Sequence, residues 1–214
     1  RPEVRRFADG LPSPKRFPIE AVKAAACKVL DEKGAVALQY SAAAGVKELR
    51  EAIAEQETKR GVPTTVDEVL ITSGSQQGLD MIARLFLDEG SKVLVESPTY
   101  MGALGAFNFC FPEYVEMKTD DEGLNPDWLG EECRGARFAY VMPTFQNPAG
   151  RTISEERRRK LCEKAREYDF WLLEDDPYGE IYFGERPPVS LRAIAPERTI
   201  RMSSMSKVLA PGFR

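Results

Sequence analysis

Histidine is missing from all 214 residues. A Ser-His-Asp or Cys-His relay, a histidine zinc site and a histidine general base are therefore excluded. Proton transfer must fall to Lys, Tyr, Asp, Glu or a cofactor. Cysteine is scarce, and Cys27, Cys110, Cys133 and Cys162 form no C-x-x-C pair, which points to free thiols in a cytoplasmic protein. No apolar run is long enough to span a bilayer, and no signal peptide stands at the start. A formal net charge of −4 gives no electrostatic case for nucleic acid or a membrane surface as partner.

What is present is ordinary for a globular chain: 43% hydrophobic and 30% charged residues, enough for one good core or two small ones. The opening Phe7-Ala-Asp-Gly-Leu-Pro-Ser-Pro-Lys-Arg-Phe-Pro18 is rich in Pro and Gly and reads as an extended arm. The spacing of Ile19, Val22, Ala26, Val29 and Leu30 predicts a helix over 19–32 that Gly34 stops. Residues 38–45 read as a loop and 46–60 as a second helix closed by Gly61 and Pro63.

From residue 69 strands alternate with helices, the signature of an α/β sheet with crossover helices. Strands are expected over 69–73, 92–96, 113–117, 138–142, 170–174 and 199–203. Helices are expected over 76–87, 101–107, 126–133 and 154–168, with Asn125 capping the third. The basic run Arg157-Arg-Arg-Lys160 reads as a solvated helix face, since Glu155 and Glu156 suit the positive end of the helix dipole.

Polar turns follow five of these strands at their C-terminal ends, the edge where open α/β sheets bind ligands. Thr72-Ser-Gly-Ser-Gln-Gln77 passes from strand into helix. Gly74 permits the sharp turn, and Ser75 and Gln76 offer donors for a phosphate, although a plain helix cap explains them equally well. Glu96-Ser-Pro-Thr-Tyr-Met-Gly102 sets Tyr100 just past a strand, as a stacking plate or as core packing. Pro143-Thr-Phe-Gln-Asn-Pro-Ala-Gly150 is turn chemistry that also delivers the Asn147 amide. Leu172-Leu-Glu-Asp-Asp-Pro-Tyr178 ends an apolar strand in carboxylates, one of which can hold a protonated ring nitrogen. Last, Arg201-Met-Ser-Ser-Met-Ser-Lys207 presents a lysine fit for a Schiff base, with Ser204, Ser206 and Arg214 able to hold a phosphate beside it. Each turn is weak evidence alone. Taken in this order they are the needs of pyridoxal phosphate.

The chain resembles the fold-type I pyridoxal-phosphate aminotransferases of class I/II, nearest their 2-aminoadipate and kynurenine aminotransferase branch and the aminotransferase-like domains of MocR-type regulators. Gly10-Leu-Pro, Leu38-Gln-Tyr-Ser, Ser73-Gly-Ser-Gln-Gln, Pro98-Thr-Tyr-Met-Gly, Gln146-Asn-Pro-Ala-Gly, Glu174-Asp-Asp-Pro-Tyr and Ser204-Met-Ser-Lys with Pro-Gly-Phe-Arg carry the likeness from end to end. It implies a three-layer α/β/α large domain with a mostly parallel sheet, here over 46–214, preceded by an arm, helix and loop over 1–45. It implies that Lys207 carries the cofactor as a Schiff base and that Asp175 pairs with the pyridine nitrogen. Tyr178 and Asn147 would hold the phenolic oxygen, Tyr100 would stack on the ring, and Ser75, Gln76, Ser204, Ser206 and Arg214 would bind the phosphate. Tyr40 would reach the phosphate of the neighbouring subunit in a homodimer, and Gly10 would lie near the substrate.

The chain departs from the family in two places. The arm reads Ala8-Asp9-Gly10 where relatives usually carry paired glycines. Family members also continue beyond the equivalent of Arg214 into a further strand and a C-terminal small domain that binds the substrate α-carboxylate. The expectation is a portion of a longer protein that does not transaminate alone. The activity implied is transfer of an amino group from an L-amino acid to a 2-oxo acid. A regulator's effector domain and a lyase on the same scaffold are the alternatives.

Overall fold

The computed structural model describes residues 10–213. Two helices come first, α1 (Ile19–Ala37) and α2 (Lys47–Lys59). α1 continues past Gly34, the expected stop, after a kink at Lys33 (φ −138°, ψ 17°). None of its residues is buried, so the apolar face read from its sequence finds no core among the described residues.

Residues 69–73, expected as a strand, pair with no strand among the described residues. Ile71 N instead donates to Ala44 O at 3.0 Å, and Leu70 is exposed. The run has β-type residues, but a strand exists only beside another strand's ladder. Helix α3 (Ser75–Phe86) follows directly.

The sheet is built from β1 (Lys92–Glu96), β2 (Glu113–Met117), β5 (Ala136–Val141), β6 (Trp171–Asp175) and β7 (Thr199–Met202), in the order β2-β1-β5-β6-β7 with every pair parallel. Helix α4 (Met101–Phe107) links β1 to β2, and helices α5 (Glu155–Glu167) and α6 (Leu191–Ile194) precede β6 and β7. Side chains alternate across each strand. Val93, Val95, Phe138, Tyr140 and Leu173 pack with α3 and α4, while Leu94, Ala139, Val141 and Leu172 pack with α5 and α6. Covered on both faces, the strands read as near-continuous apolar runs, and the result is the expected three layers.

Two local expectations give way. Residues 126–133 form two 3₁₀ turns, Pro126–Trp128 and Glu131–Cys133, because Gly130 between them is extended (φ −141°, ψ −147°). Asn125 does cap the first turn, accepting from Asp127 N at 3.1 Å. A small antiparallel pair, β3 (Thr119–Asp120) with β4 (Gly123–Leu124), was not legible in the sequence.

The basic run on α5 is only partly a solvated face. Arg159 and Lys160 lie outward on surface carboxylates, but Arg157 grips Asp120 and Arg158 is 1% exposed. The Arg158 guanidinium donates to the carbonyls of Pro143, Ile153 and Val189 and to Thr144 Oγ1, at 2.8–3.1 Å. Burial pulls its pKa down while the charges of Glu174 and Asp176 hold it up. This one side chain anchors the loop after β5 to α5 and to the segment before α6.

A buried carboxyl anchors the same loop from the other side. Glu96, at the end of β1, accepts from Met142 N at 3.1 Å. Burial pushes its pKa up to about 7 against the pull of Met142 N–H and the Gln146 amide.

Arg158→Met should cost about 3 kcal/mol of stability, because it strips a shared donor from buried carbonyls. Urea unfolding measures this, and a loss below about 1 kcal/mol would contradict the anchoring role. Glu96 favours the fold most when protonated, so its contribution is complete below the ordinary glutamate range and is lost as pH rises through about 7. Glu96→Gln should therefore flatten the stability profile between pH 5 and 8 by about 2 kcal/mol, whereas parallel profiles would contradict the buried carboxyl.

Candidate functional site

Strand order reverses between β1 and β5: from β1 the chain moves outward to β2, and from β5 it moves the other way to β6 and β7. At such a switch point the loops leaving the carboxyl ends diverge and open a crevice. Turn 97–100 forms one wall and turn 143–150 the other.

Buried polar atoms hold these two turns together. Gln146 is buried, its Nε2 donates to Pro98 O at 2.8 Å, and its Oε1 accepts from Ala149 N at 2.7 Å. Phe145 N donates to Thr152 Oγ1 at 3.0 Å. The turns that carry Tyr100 and Asn147 thus share one internal brace. The Tyr100 ring also folds back over Gly102, where any side chain would collide with it.

The acidic end of β6 resolves into three carboxylates with three surroundings. Glu174 turns to the α5–α6 side, where it accepts from Ser190 Oγ, Leu191 N and Arg192 N at the start of α6. Asp176 is engaged by Arg201 (2.8 Å) and Gly179 N (2.8 Å). Asp175 points to the opposite face from Glu174, as strand alternation requires. It is 4% exposed, and among the described residues Tyr140 Oη is its hydrogen-bond donor, at 2.7 Å. Burial pushes its pKa up to about 6 and the Asp176 charge adds to that, while the Tyr140 bond opposes both.

Beyond β7, Lys207 sits in the short helix α7 (Met205–Val208). Its Nζ donates to Gly10 O at 2.6 Å, so Gly10 lies against the lysine. A side chain at Gly10 would lie about 4.0 Å from Tyr178 Oη and 3.7 Å from Lys207 Nζ, which puts Tyr178 in the same cluster. Burial raises the Tyr178 pKa, the charges of Asp175 and Tyr100 add to the rise, and the Asn147 amide opposes it. Lys207, Gly10, Tyr178, Asn147, Tyr100 and Asp175 therefore share one neighbourhood.

Anion-binding capacity lies at the same edge. Gly74 (φ 80°, ψ 165°) adopts a backbone that only glycine enters freely, and this lets α3 start directly after residues 69–73. Among the described residues no side chain caps that helix, so the first-turn N–H groups near Ser75 and Gln76 face outward as donors. Gln76 spends one side-chain donor on Gly102 O at 3.0 Å. Ser204 caps α7 by accepting from Ser206 N at 3.1 Å. A Cβ added at Gly78 would meet the Met202 sulfur at 3.4 Å, so the first turn of α3 lies beside the end of β7.

Two predicted residues stand apart. Tyr40 is 98% exposed and adds nothing to this cluster. Arg214 lies outside the described residues, as do residues 1–9 of the arm. A concavity of about 580 Å³ is lined by Arg60, Arg158, Asp176, Arg201 and Ser204 among others and shares only Ser204 with the predicted set. Sequence reading missed Tyr140, Glu96 and the bracing role of Gln146. For Tyr140 there was a signal: a hydroxyl on the buried face of an apolar strand needs a partner.

The family model for class I and II aminotransferases matches residues 10–214. Aromatic-amino-acid aminotransferase 1 of Thermococcus litoralis is 43% identical over 221 residues, covering 99% of this chain and 53% of the relative. The crystal structure of a Pyrococcus horikoshii kynurenine aminotransferase in complex with PMP superposes with a TM-score of 0.90 at 43% identity, over 96% of this chain and 53% of that one. A Thermus thermophilus alpha-aminoadipate aminotransferase, solved with N-(5'-phosphopyridoxyl)-L-leucine, superposes with a TM-score of 0.88 at 43% identity, over 96% and 53%. The chain spans about half the length of the curated relatives it matches.

Proposed function

The chain belongs to the class I and II aminotransferases, and from that premise we propose that the protein moves an amino group from an L-amino acid to a 2-oxo acid, with pyridoxal 5'-phosphate as cofactor. The observation that carries the proposal is the convergence of Lys207, Gly10 and Tyr178 at one sheet edge with the buried carboxylate Asp175. The residues fit the cofactor by donor and acceptor chemistry. Asp175 keeps acceptor capacity beyond its Tyr140 bond, which suits a protonated ring nitrogen. The uncapped first turn of α3 suits a phosphate.

In this reading Asp175 holds the ring nitrogen, Tyr178 and Asn147 hold the phenolic oxygen, and Tyr100 lies against the ring. Ser75, Gln76, Ser204, Ser206 and Arg214 hold the phosphate. When bound, pyridoxal phosphate supplies a ring that withdraws electrons from the substrate Cα. Lys207 Nζ would hold the cofactor until the amino group of the incoming substrate displaces it, and as the released amine it would take the proton from that Cα. No histidine competes for the task. Gly10 O accepts a hydrogen bond from Nζ and orients the amine.

The partner in this reading is a second copy of the chain. Ile19, Val29, Leu30, Val36, Leu38 and Tyr40 form an exposed apolar surface on α1 and the loop after it, and burial against a symmetry mate removes it from water. Tyr40 would then reach the neighbour's phosphate. Residues 46–214 act as the cofactor-binding unit, preceded by the arm, helix and loop of residues 1–45. Among the described residues no helix is long and apolar enough to cross a membrane, and we take the location to be cytoplasmic. One aromatic-amino-acid and one 2-aminoadipate relative are each 43% identical to this chain, so the proposal names the reaction class and not one amino acid.

The test is product analysis of the full-length protein with the cofactor, a panel of L-amino acids and a 2-oxo acid acceptor. The expected outcome is one new amino acid per donor consumed, with Lys207→Ala lowering turnover by about a thousandfold. Release of ammonia or carbon dioxide in place of the new amino acid would assign a lyase.

A further inference from the structure

Tyr140 is buried on the central strand β5, opposite Leu173 of β6, so Asp175 follows two residues along on the same face. The Phe107 ring packs edge-on against the Tyr140 ring with centroids 5.7 Å apart and fixes its direction. Phe138, one period earlier on the same strand and face, fills equivalent space without a hydroxyl. The wall therefore needs only a ring at position 140. A phenol buried there is unfavourable unless its O–H finds a partner, and it finds Asp175 Oδ2 at 2.7 Å.

We infer that Tyr140 is a positioning residue for the cofactor: its hydroxyl holds the Asp175 carboxylate ionised and directs the free oxygen of that carboxylate at the ring nitrogen. The inference rests on the cofactor reading above and adds to it a residue outside the predicted set. The titratable groups around the carboxylate do not replace this bond. Asp176 repels a charge on Asp175, although Arg201 neutralises part of it. Tyr178 and Tyr100 approach from the turns after β6 and β1, and their hydroxyls are not bonded to Asp175 among the described residues. Glu96 reaches Tyr140 only through its charge. The neighbouring strand β7 contributes Met202, which carries no charge. With the Tyr140 bond removed, burial acts on Asp175 unopposed and favours the protonated acid. A protonated acid cannot offset the charge of a protonated ring nitrogen.

The experiment titrates the cofactor-free, full-length protein with pyridoxal phosphate at pH values from 5 to 8, following fluorescence. Parent, Tyr140→Phe, Asp175→Asn and the double variant are compared. Parent affinity should fall as pH drops through the Asp175 pKa. In Tyr140→Phe that fall should begin about one pH unit higher, so that affinity is weaker by about twofold at pH 7 and by about tenfold at pH 5. In the Asp175→Asn background the Tyr140 substitution should change nothing. The Phe variant keeps the ring that packs on Phe107, and a urea midpoint on each protein separates loss of fold from loss of charge control. An unshifted acid limb in Tyr140→Phe, or an equal effect in the Asp175→Asn background, overturns the inference while leaving the cofactor reading intact. A folded parent that takes up no pyridoxal phosphate overturns both.

Discussion

The parallel pairing of β6 between β5 and β7 is the constraint on which the site depends. It sets Asp175 opposite Met202 and beside the Tyr140 face of β5. Because strand side chains alternate, the same pairing sends Glu174 to the other face, where it becomes the anchor of α6. A slip of one residue would exchange these two carboxylates. The buried acid would then face Ser190 and the helix-anchoring acid would face the crevice. Register thus decides which of three adjacent acids is free for chemistry.

Loops carry the remaining groups, and buried polar atoms fix those loops. Arg158 ties turn 143–150 to α5 and to the segment before α6, and Glu96 with Gln146 ties it to turn 97–100. These contacts make the crevice walls extensions of the sheet. The opposed demands on one small region are plain: the walls need buried charge to hold them, and buried charge is tolerated only with full hydrogen bonding. Arg158 meets that condition with four acceptors.

Much of this was legible in the sequence. The strands at 92–96 and 113–117 and the helix at 101–107 stand where periodicity put them, because both faces of the sheet are apolar and turn residues punctuate each element. The aminotransferase family was legible from the ordered turns, and the family model matches nearly the whole chain. Periodicity failed where a neighbour decides the outcome. Among the described residues, 69–73 have strand composition without a flanking strand, and α1 has an apolar stripe without a core. Gly130 split an expected helix through its backbone angles, which composition does not reveal. Arg158 read as one of four surface cations, since only the tertiary structure distinguishes the position that turns inward. Tyr140 was hidden for the opposite reason, as one aromatic among many on an apolar strand.

The central claim is that this sheet edge presents Lys207 to pyridoxal phosphate. The most direct measurement is borohydride reduction of the full-length protein after incubation with the cofactor, followed by peptide mapping. The account predicts a reduced pyridoxyl group on Lys207 and on no other lysine. A folded protein that carries the label elsewhere, or carries none, would contradict it.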